Sequence, residues 1–339
     1  MNTKDVDILN VILILVSLTL AFSIPFHLFI FSYAILGPLH YLTEINWLRE
    51  KNYFIKEVRW MWLFLILAFV VSIPFLMTLP IASNLFEPSL KKEIHVTVFS
   101  WSDEILMISL LFAIGLIYFK NTITLLLFLI GSTLFSILLL NYFPTVAIAT
   151  VIFIPTVIHV YVFTLLFMIY GYLNSKSTAG MIAIVLLILA PFIIMVNKIN
   201  LMDYSTISES VRNSYDGSNF SRLNMWISKL FLSKDDGEFV FLSVMGIKIQ
   251  IFVAFAYTYH YLNWFSKTSI IKWNKGISKS KLIAILGIWA LSVGLYLYNF
   301  KVGFIVLSFL SLIHVFFEFP LNITSMKGIA LKIKSRFVR

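Results

Sequence analysis

The sequence contains no cysteine and has few charged residues. Only 12% of its 339 residues are charged, whereas 60% are hydrophobic; a soluble domain has roughly 25% charged residues. The absence of cysteine excludes disulfides, thiolate metal sites, iron–sulfur clusters and cysteine nucleophiles. The scarcity of charge excludes a soluble globular enzyme, a disordered chain and a coiled coil. The fold class that remains is all-α, a polytopic transmembrane helical bundle.

Long apolar runs fill most of the chain. A transmembrane helix needs about 20 mostly apolar residues, and about ten such runs can be counted. We therefore expect one integral-membrane domain over residues 1–339, a multi-pass protein in contact with the lipid bilayer. The predicted spans are residues 6–23, 25–48, 60–82, 103–119, 122–141, 144–173, 180–198, 249–266, 282–300 and 302–325.

Basic residues gather on one side of these spans. Most of the 26 Lys and Arg lie in residues 49–59, 267–281 and 327–339, or are Lys4, Lys120 and Lys176. A path of ten spans brings all of these to the same side, which the positive-inside rule assigns to the cytoplasm. Both termini are therefore predicted to be cytoplasmic, with residues 327–339 as a basic tail. The same rule explains the net charge of +10 without a nucleic acid partner.

The longest polar stretch, residues 199–248, falls on the predicted outer side. Inside it, apolar residues such as Phe220, Leu223 and Trp226 recur at helical spacing. This pattern predicts an interfacial helix at residues 219–232 that lies on the membrane surface. A loop packed over the bundle would have the same pattern, and both interpretations stay open here.

Four of the six histidines lie inside predicted spans, each in a different one. They are His40, His159, His260 and His314, in the second, sixth, eighth and tenth spans. These spans run in the same direction, and one shared layer of histidines is compatible with their depths. Neutral imidazoles without thiolates suit iron, copper or zinc. We therefore predict that the four histidines are ligands of one metal ion.

Two acidic residues accompany these histidines. Glu44 follows His40 by four residues and Glu318 follows His314 by four, so each pair shares a helix face. Ionisable groups are costly in a bilayer and are usually paired or functional. The two glutamates are therefore the catalytic candidates, either as additional ligands or as groups that orient a ligating imidazole. Candidates for lining a substrate channel are the aromatic residues around His260, namely Tyr257, Tyr259, Tyr261 and Trp264.

The ordered segments Gly37-Pro38-Leu39-His40 with Glu44, His159, His260, and Ser311-Leu312-Ile313-His314 with Glu318 resemble the Brp/Blh family. These are membrane β-carotene 15,15'-dioxygenases, which cleave a carotenoid into retinal with O2. The resemblance implies a non-haem Fe(II) at the four histidines, with the two glutamates as acidic partners. It also implies an oxidoreductase that acts on a lipid-soluble, carotenoid-like substrate.

This sequence departs from the family in three places. Trp264 stands where the family has a second histidine four residues after the first, His40 and His159 lie further apart than the family's first two histidines, and the acidic partners are Glu rather than Asp. The missing histidine leaves the iron geometry and the exact reaction of this chain open. The resemblance therefore implies a distant relative.

Two other functions account for the same residues. A transporter or channel would use them as a buried His/Glu proton or ion relay. A membrane assembly protein would use them to fix the packing of its helices. Another transition metal, or a haem held by two histidines, is an open alternative to non-haem iron. The sequence makes no prediction of the oligomeric state.

Overall fold

A computed structural model describes residues 2–50, 58–204, 207–218, 220–228, 242–268, 270 and 277–337. Of the residues that the structure describes, 91% are helical and none lies in a strand, so the all-α prediction is confirmed. The helices are α1 Thr3–Ser23, α2 Pro25–Phe31, α3 Gly37–Glu50, α4 Val58–Leu76, α5 Pro80–Leu85, α6 Pro88–Ser100, α7 Ser102–Tyr118, α8 Thr122–Tyr142, α9 Pro144–Phe153, α10 Thr164–Ser175, α11 Thr178–Val196, α12 Glu209–Gly217, α13 Phe220–Ser228, α14 Val244–Lys267, α15 Lys279–Tyr298 and α16 Phe300–Phe337.

Eight helices in the described part of the chain are long and apolar enough to cross a membrane. A ninth crossing is available if α6 and α7, which are bent by 41° at their junction, form one span. These helices are compatible with an integral multi-pass membrane protein. The predicted count of ten is therefore approximate. The predicted span that is missing from this count is 249–266, which forms α14. It carries Gln250, His260 and Asn263 among its apolar residues and is the most polar of the ten predicted spans.

The chain forms two compact units. The first contains residues 1–40 and 160–304, and the second contains residues 41–159 and 305–339. Compact units of this kind can belong to one domain, so the prediction of a single membrane domain stays a prediction.

Helix α14 is the centre of the first unit, in contact with α1, α2, α11 and α13. Its polar side chains face protein rather than lipid. Asn10 of α1 accepts hydrogen bonds from the Tyr259 hydroxyl (3.1 Å) and the Asn263 amide (2.7 Å), and its own amide donates to Ser266 Oγ (3.0 Å). This network explains why a helix of intermediate polarity is stable at a buried position.

Two stretches of π-helix interrupt the α-helices, at Ser32–Leu36 and Ile154–Phe163. The first leads into Pro38 and the second contains Pro155. Proline has no N–H and cannot donate the usual bond to the carbonyl four residues earlier, and a wider turn accommodates that loss. The two prolines therefore set the backbone of the segments that carry His40 and His159.

The second unit has an aromatic core of Trp60, Phe64, Phe112 and Phe316, with ring centroids 5.2–6.2 Å apart in successive contacts. Its last helix, α16, is 38 residues long. The predicted basic tail at 327–339 is thus helical as far as Phe337, because it continues the helix that carries His314.

The polar stretch 199–248 contains the short helices α12 and α13. Helix α13 buries Phe220, Leu223 and Ile227 and contacts α14, and its Asn224 amide donates to the Gly246 carbonyl at 3.0 Å. The apolar side of the predicted interfacial helix therefore faces protein. Residues 219 and 229–232 of that prediction lie outside the described residues.

Candidate metal centre

Four buried polar side chains meet in the second unit. Glu44 comes from α3, His159 from the π-helical stretch, and His314 and Glu318 from α16. Each side chain is at most 3% exposed. The spacing of four residues places His314 and Glu318 on one face of α16, as the sequence predicted.

These side chains contact one another through four atoms. His314 Nε2 lies 3.0 Å from Glu44 Oε2 and 3.5 Å from Glu318 Oε2. Glu318 Oε2 also lies 3.4 Å from His159 Nε2. The two imidazole rings are nearly perpendicular, with centroids 4.9 Å apart. The nitrogens of His159 and His314 thus converge on the Glu318 carboxylate, and Glu44 joins this group through His314.

The separations fit a metal-ligand shell. Bonds of about 2.0–2.2 Å place ligand atoms about 3.3–3.6 Å apart at tetrahedral angles, and about 2.8–3.1 Å apart at octahedral angles. The contacts of 3.0, 3.4 and 3.5 Å fall within these ranges. The ligand atoms of His159, His314 and Glu318 all lie within 4.8 Å of one another. These three residues could therefore hold a metal ion.

The charges of the cluster also favour a cation. Two carboxylates that are ionised in a buried site bring two negative charges, which are costly unless they are compensated. A divalent ion between them and the neutral imidazoles would give a site of zero net charge. Without an ion, the same contacts are charge-assisted hydrogen bonds that require a proton on His314 or on a carboxyl group.

The cluster is shielded from solvent, and one aromatic ring lies directly against it. The Tyr41 ring lies 4.7 Å from the His314 ring at an angle of 31°, and Phe316 and Phe319 are buried on either side of Glu318 in the sequence. Asn322, one turn further along α16, is 2% exposed, and both of its amide atoms lack a hydrogen-bond partner in the described part of the chain.

The other two predicted ligands form a pair in the first unit. His40 Nε2 and His260 Nε2 lie 3.1 Å apart, and their rings are nearly perpendicular. Both residues are buried, at 1% and 6% exposure. The Nε2 atoms of this pair therefore point toward each other.

Thr164 fixes the orientation of one member of this pair. Its hydroxyl donates to the Val160 carbonyl at 2.9 Å, and its oxygen lies 2.8 Å from His260 Nδ1. A hydroxyl has one proton to donate, so its oxygen must accept a hydrogen bond from the Nδ1–H group of His260. Nε2 of the neutral His260 ring is then the lone-pair nitrogen, the form in which imidazole binds a metal or accepts a proton.

The four aromatic candidates have different surroundings. Tyr261 and Trp264 lie beside His40, with ring centroids at 5.2 and 5.6 Å. Tyr257 joins Tyr261 to a cluster of aromatic rings that includes Phe220. Tyr259 instead hydrogen-bonds to Asn10 and contacts the Met168 sulfur at 3.1 Å. The rings of Tyr257 and Tyr261 therefore form a series of contacts that ends at His40. Tyr259 does not belong to this series, because its hydroxyl is hydrogen-bonded to Asn10.

The sequence missed Thr164 and Tyr41. Threonine and tyrosine are frequent in apolar helices, and neither residue has a sequence pattern that distinguishes it from packing residues. Each unit holds two of the predicted histidine ligands, and the binding of all four to one ion stays a prediction.

Comparison with known proteins gave no match to a family model, a curated protein or a solved structure. The Brp/Blh relationship therefore stays a prediction based on short motifs.

Proposed function

We propose that this protein is a membrane-embedded, metal-dependent oxygenase with non-haem iron as its metal. The observation that carries the proposal is the convergence of His159, His314 and Glu318. Two histidines and one carboxylate, with the remaining positions open, are the ligand set typical of non-haem Fe(II) oxygenases.

The substrate that we propose is lipid-soluble and carotenoid-like. The long apolar helices support a lipid-soluble substrate, because such a molecule can reach buried residues from within the bilayer. The resemblance to the Brp/Blh motifs supports a carotenoid-like substrate and O2 as the co-substrate. Bound iron would supply the activation of O2.

The protein's own residues would bind the metal ion, orient its ligands and exclude water from the site. His159, His314 and Glu318 would hold the ion, and the contact with Glu44 would orient the His314 ring or add a fourth ligand. The Tyr41 ring and the phenylalanines around α16 would keep the site dry, which strengthens the electrostatic interactions inside it.

Metal analysis of the purified protein tests the proposal. We expect about one iron per chain in the wild type, and loss of iron from His159→Ala, His314→Ala and Glu318→Gln. Glu44→Gln should weaken iron binding by about 10–100-fold if Glu44 only orients a ligand. His27→Ala is the matched control, because His27 is exposed and is not in the cluster.

Different outcomes would contradict different parts of the proposal. Folded, iron-free protein with pH-dependent ion flux in liposomes would support the relay instead. Variants that lose stability without any change in metal content would support the assembly function. A Soret band would indicate haem. Loss of iron from His260→Ala would support the four-histidine prediction, whereas retention would limit the ligands to the second unit.

A further inference from the structure

A second polar site lies in the second unit, at the end of α4. A cavity of about 450 Å³ opens there between α4, α5 and α6. Its apolar lining includes Met77 and Phe86, and its basic lining consists of Lys91, Lys92 and His95. Cavities of roughly 300–1,000 Å³ are the usual size for small-molecule sites.

A hydrogen bond between helices joins one wall of this cavity to the end of α4. As α4 ends, the Thr78 N–H donates to Phe75 instead of Pro74, which leaves the Pro74 carbonyl available. His95 Nδ1 donates to this carbonyl at 3.0 Å and thereby attaches α6 to the end of α4. The helical spacing places Lys91 on the same face of α6 as His95, toward the cavity.

The charge of the lining is of one sign. Lys91 and Lys92 both border the cavity, whereas the nearby Glu87 and Glu93 do not belong to its lining. The first turn of α6 adds the positive end of a helix of 13 residues. The combination of basic and apolar walls is complementary to a molecule with an anionic head and an apolar body.

The cavity lies at an end of a membrane-crossing helix. Met77 directly follows the span Arg59–Leu76. The side chains of Ile81, Leu85 and Trp101 are at least half exposed nearby in the sequence, as is typical of a surface that meets lipid. If α4 crosses the bilayer, its end lies at the depth of the lipid headgroups.

We propose that this cavity binds the headgroup of an anionic membrane lipid. Lys91 and Lys92 contact the phosphate, and Met77 and Phe86 contact the first methylenes of the chains. This site is separate from the His/Glu cluster in its residues and does not depend on the metal.

Thermal unfolding of the full chain in mixed micelles tests this site. We expect phosphatidylglycerol to raise the unfolding temperature of the wild type relative to phosphatidylcholine. The Lys91→Gln/Lys92→Gln variant should lose most of this difference, while Lys279→Gln/Lys281→Gln, which removes two lysines from the start of α15, should keep it. Native mass spectrometry should find about one fewer retained phosphatidylglycerol in the cavity variant.

Three results would overturn the proposal. One is an equal effect of phosphatidylglycerol on the cavity variant and the wild type. Another is equal stabilisation by phosphatidylcholine. The third is that inorganic phosphate at the same concentration reproduces the shift, since the cavity would then take a free anion. Metal content should be unchanged in the cavity variant, which separates this test from that of the proposed oxygenase.

Discussion

Two buried asparagines have opposite surroundings. The Asn263 side chain donates to Asn10 and Tyr259 and accepts from Lys267, whereas the side chain of Asn322 has no hydrogen-bond partner in the described part of the chain. A buried polar group without a hydrogen-bond partner lowers the free energy of unfolding by about 1–3 kcal/mol. Removal of a buried polar group that is hydrogen-bonded lowers it by a similar amount.

We therefore expect opposite effects from the same substitution at these positions. Asn322→Leu should raise the free energy of unfolding of the metal-free protein by about 1–3 kcal/mol, and Asn263→Leu should lower it by about 1–3 kcal/mol. Denaturant unfolding in detergent measures both. If Asn322→Leu is destabilising, the amide has a partner such as bound water or substrate.

Thr164 provides a second residue-level prediction. Thr164→Val keeps the shape of the side chain but removes the acceptor of the His260 Nδ1 proton, so it should lower the free energy of unfolding by about 1–3 kcal/mol. Thr164→Ser should retain the wild-type stability. Nitrogen NMR of labelled histidine should find Nδ1 protonated in the wild type, and the other tautomer would contradict the geometry.

At this scale the sequence predicted which residues share a helix face but not the contacts between helices. The pairing of His314 with Glu318 follows from their spacing on one helix. The contact of Glu44 with His314 joins residues 270 positions apart, and no local pattern specifies it. His40 lies four residues before Glu44, and this spacing predicts a shared helix face. In the structure His40 contacts His260, which no local pattern predicts.

Among the helices, α14 is the central one of the first unit. Its Ala254 is fully buried, so Ala254→Leu should overpack the first unit and lower the free energy of unfolding by about 1–3 kcal/mol. Leu291→Ala, at a side chain that is 66% exposed on α15, is the control and should have little effect. Thermal unfolding measures both, and equal effects would contradict the central position of α14.

Most helices were predicted correctly because long apolar runs determine them directly. The exceptions have physical causes. Proline ends α4 early and begins α5 at Pro80, within the predicted span 60–82. The basic residues of the predicted tail are good helix formers and extend α16 to Phe337.

For the whole molecule, the orientation of the termini is still a prediction from charge. The absence of cysteine makes it directly testable with single-cysteine variants. Asn2→Cys and Ser335→Cys should react with a membrane-impermeant thiol reagent only from the cytoplasmic side, and Asn299→Cys only from the outer side. Labelling of the first two from opposite sides would require an odd number of spans.

The length of α16 has a practical consequence. Its 38 residues, with Pro320 in the interior, follow a helical path of about 57 Å at about 1.5 Å per residue, whereas the hydrocarbon layer is about 30 Å thick. The surplus continues the rod beyond the lipid. A rigid helical fusion joined in register near Ser335 would therefore project from the micelle at a fixed angle, and would serve as an alignment marker for electron microscopy of this small protein.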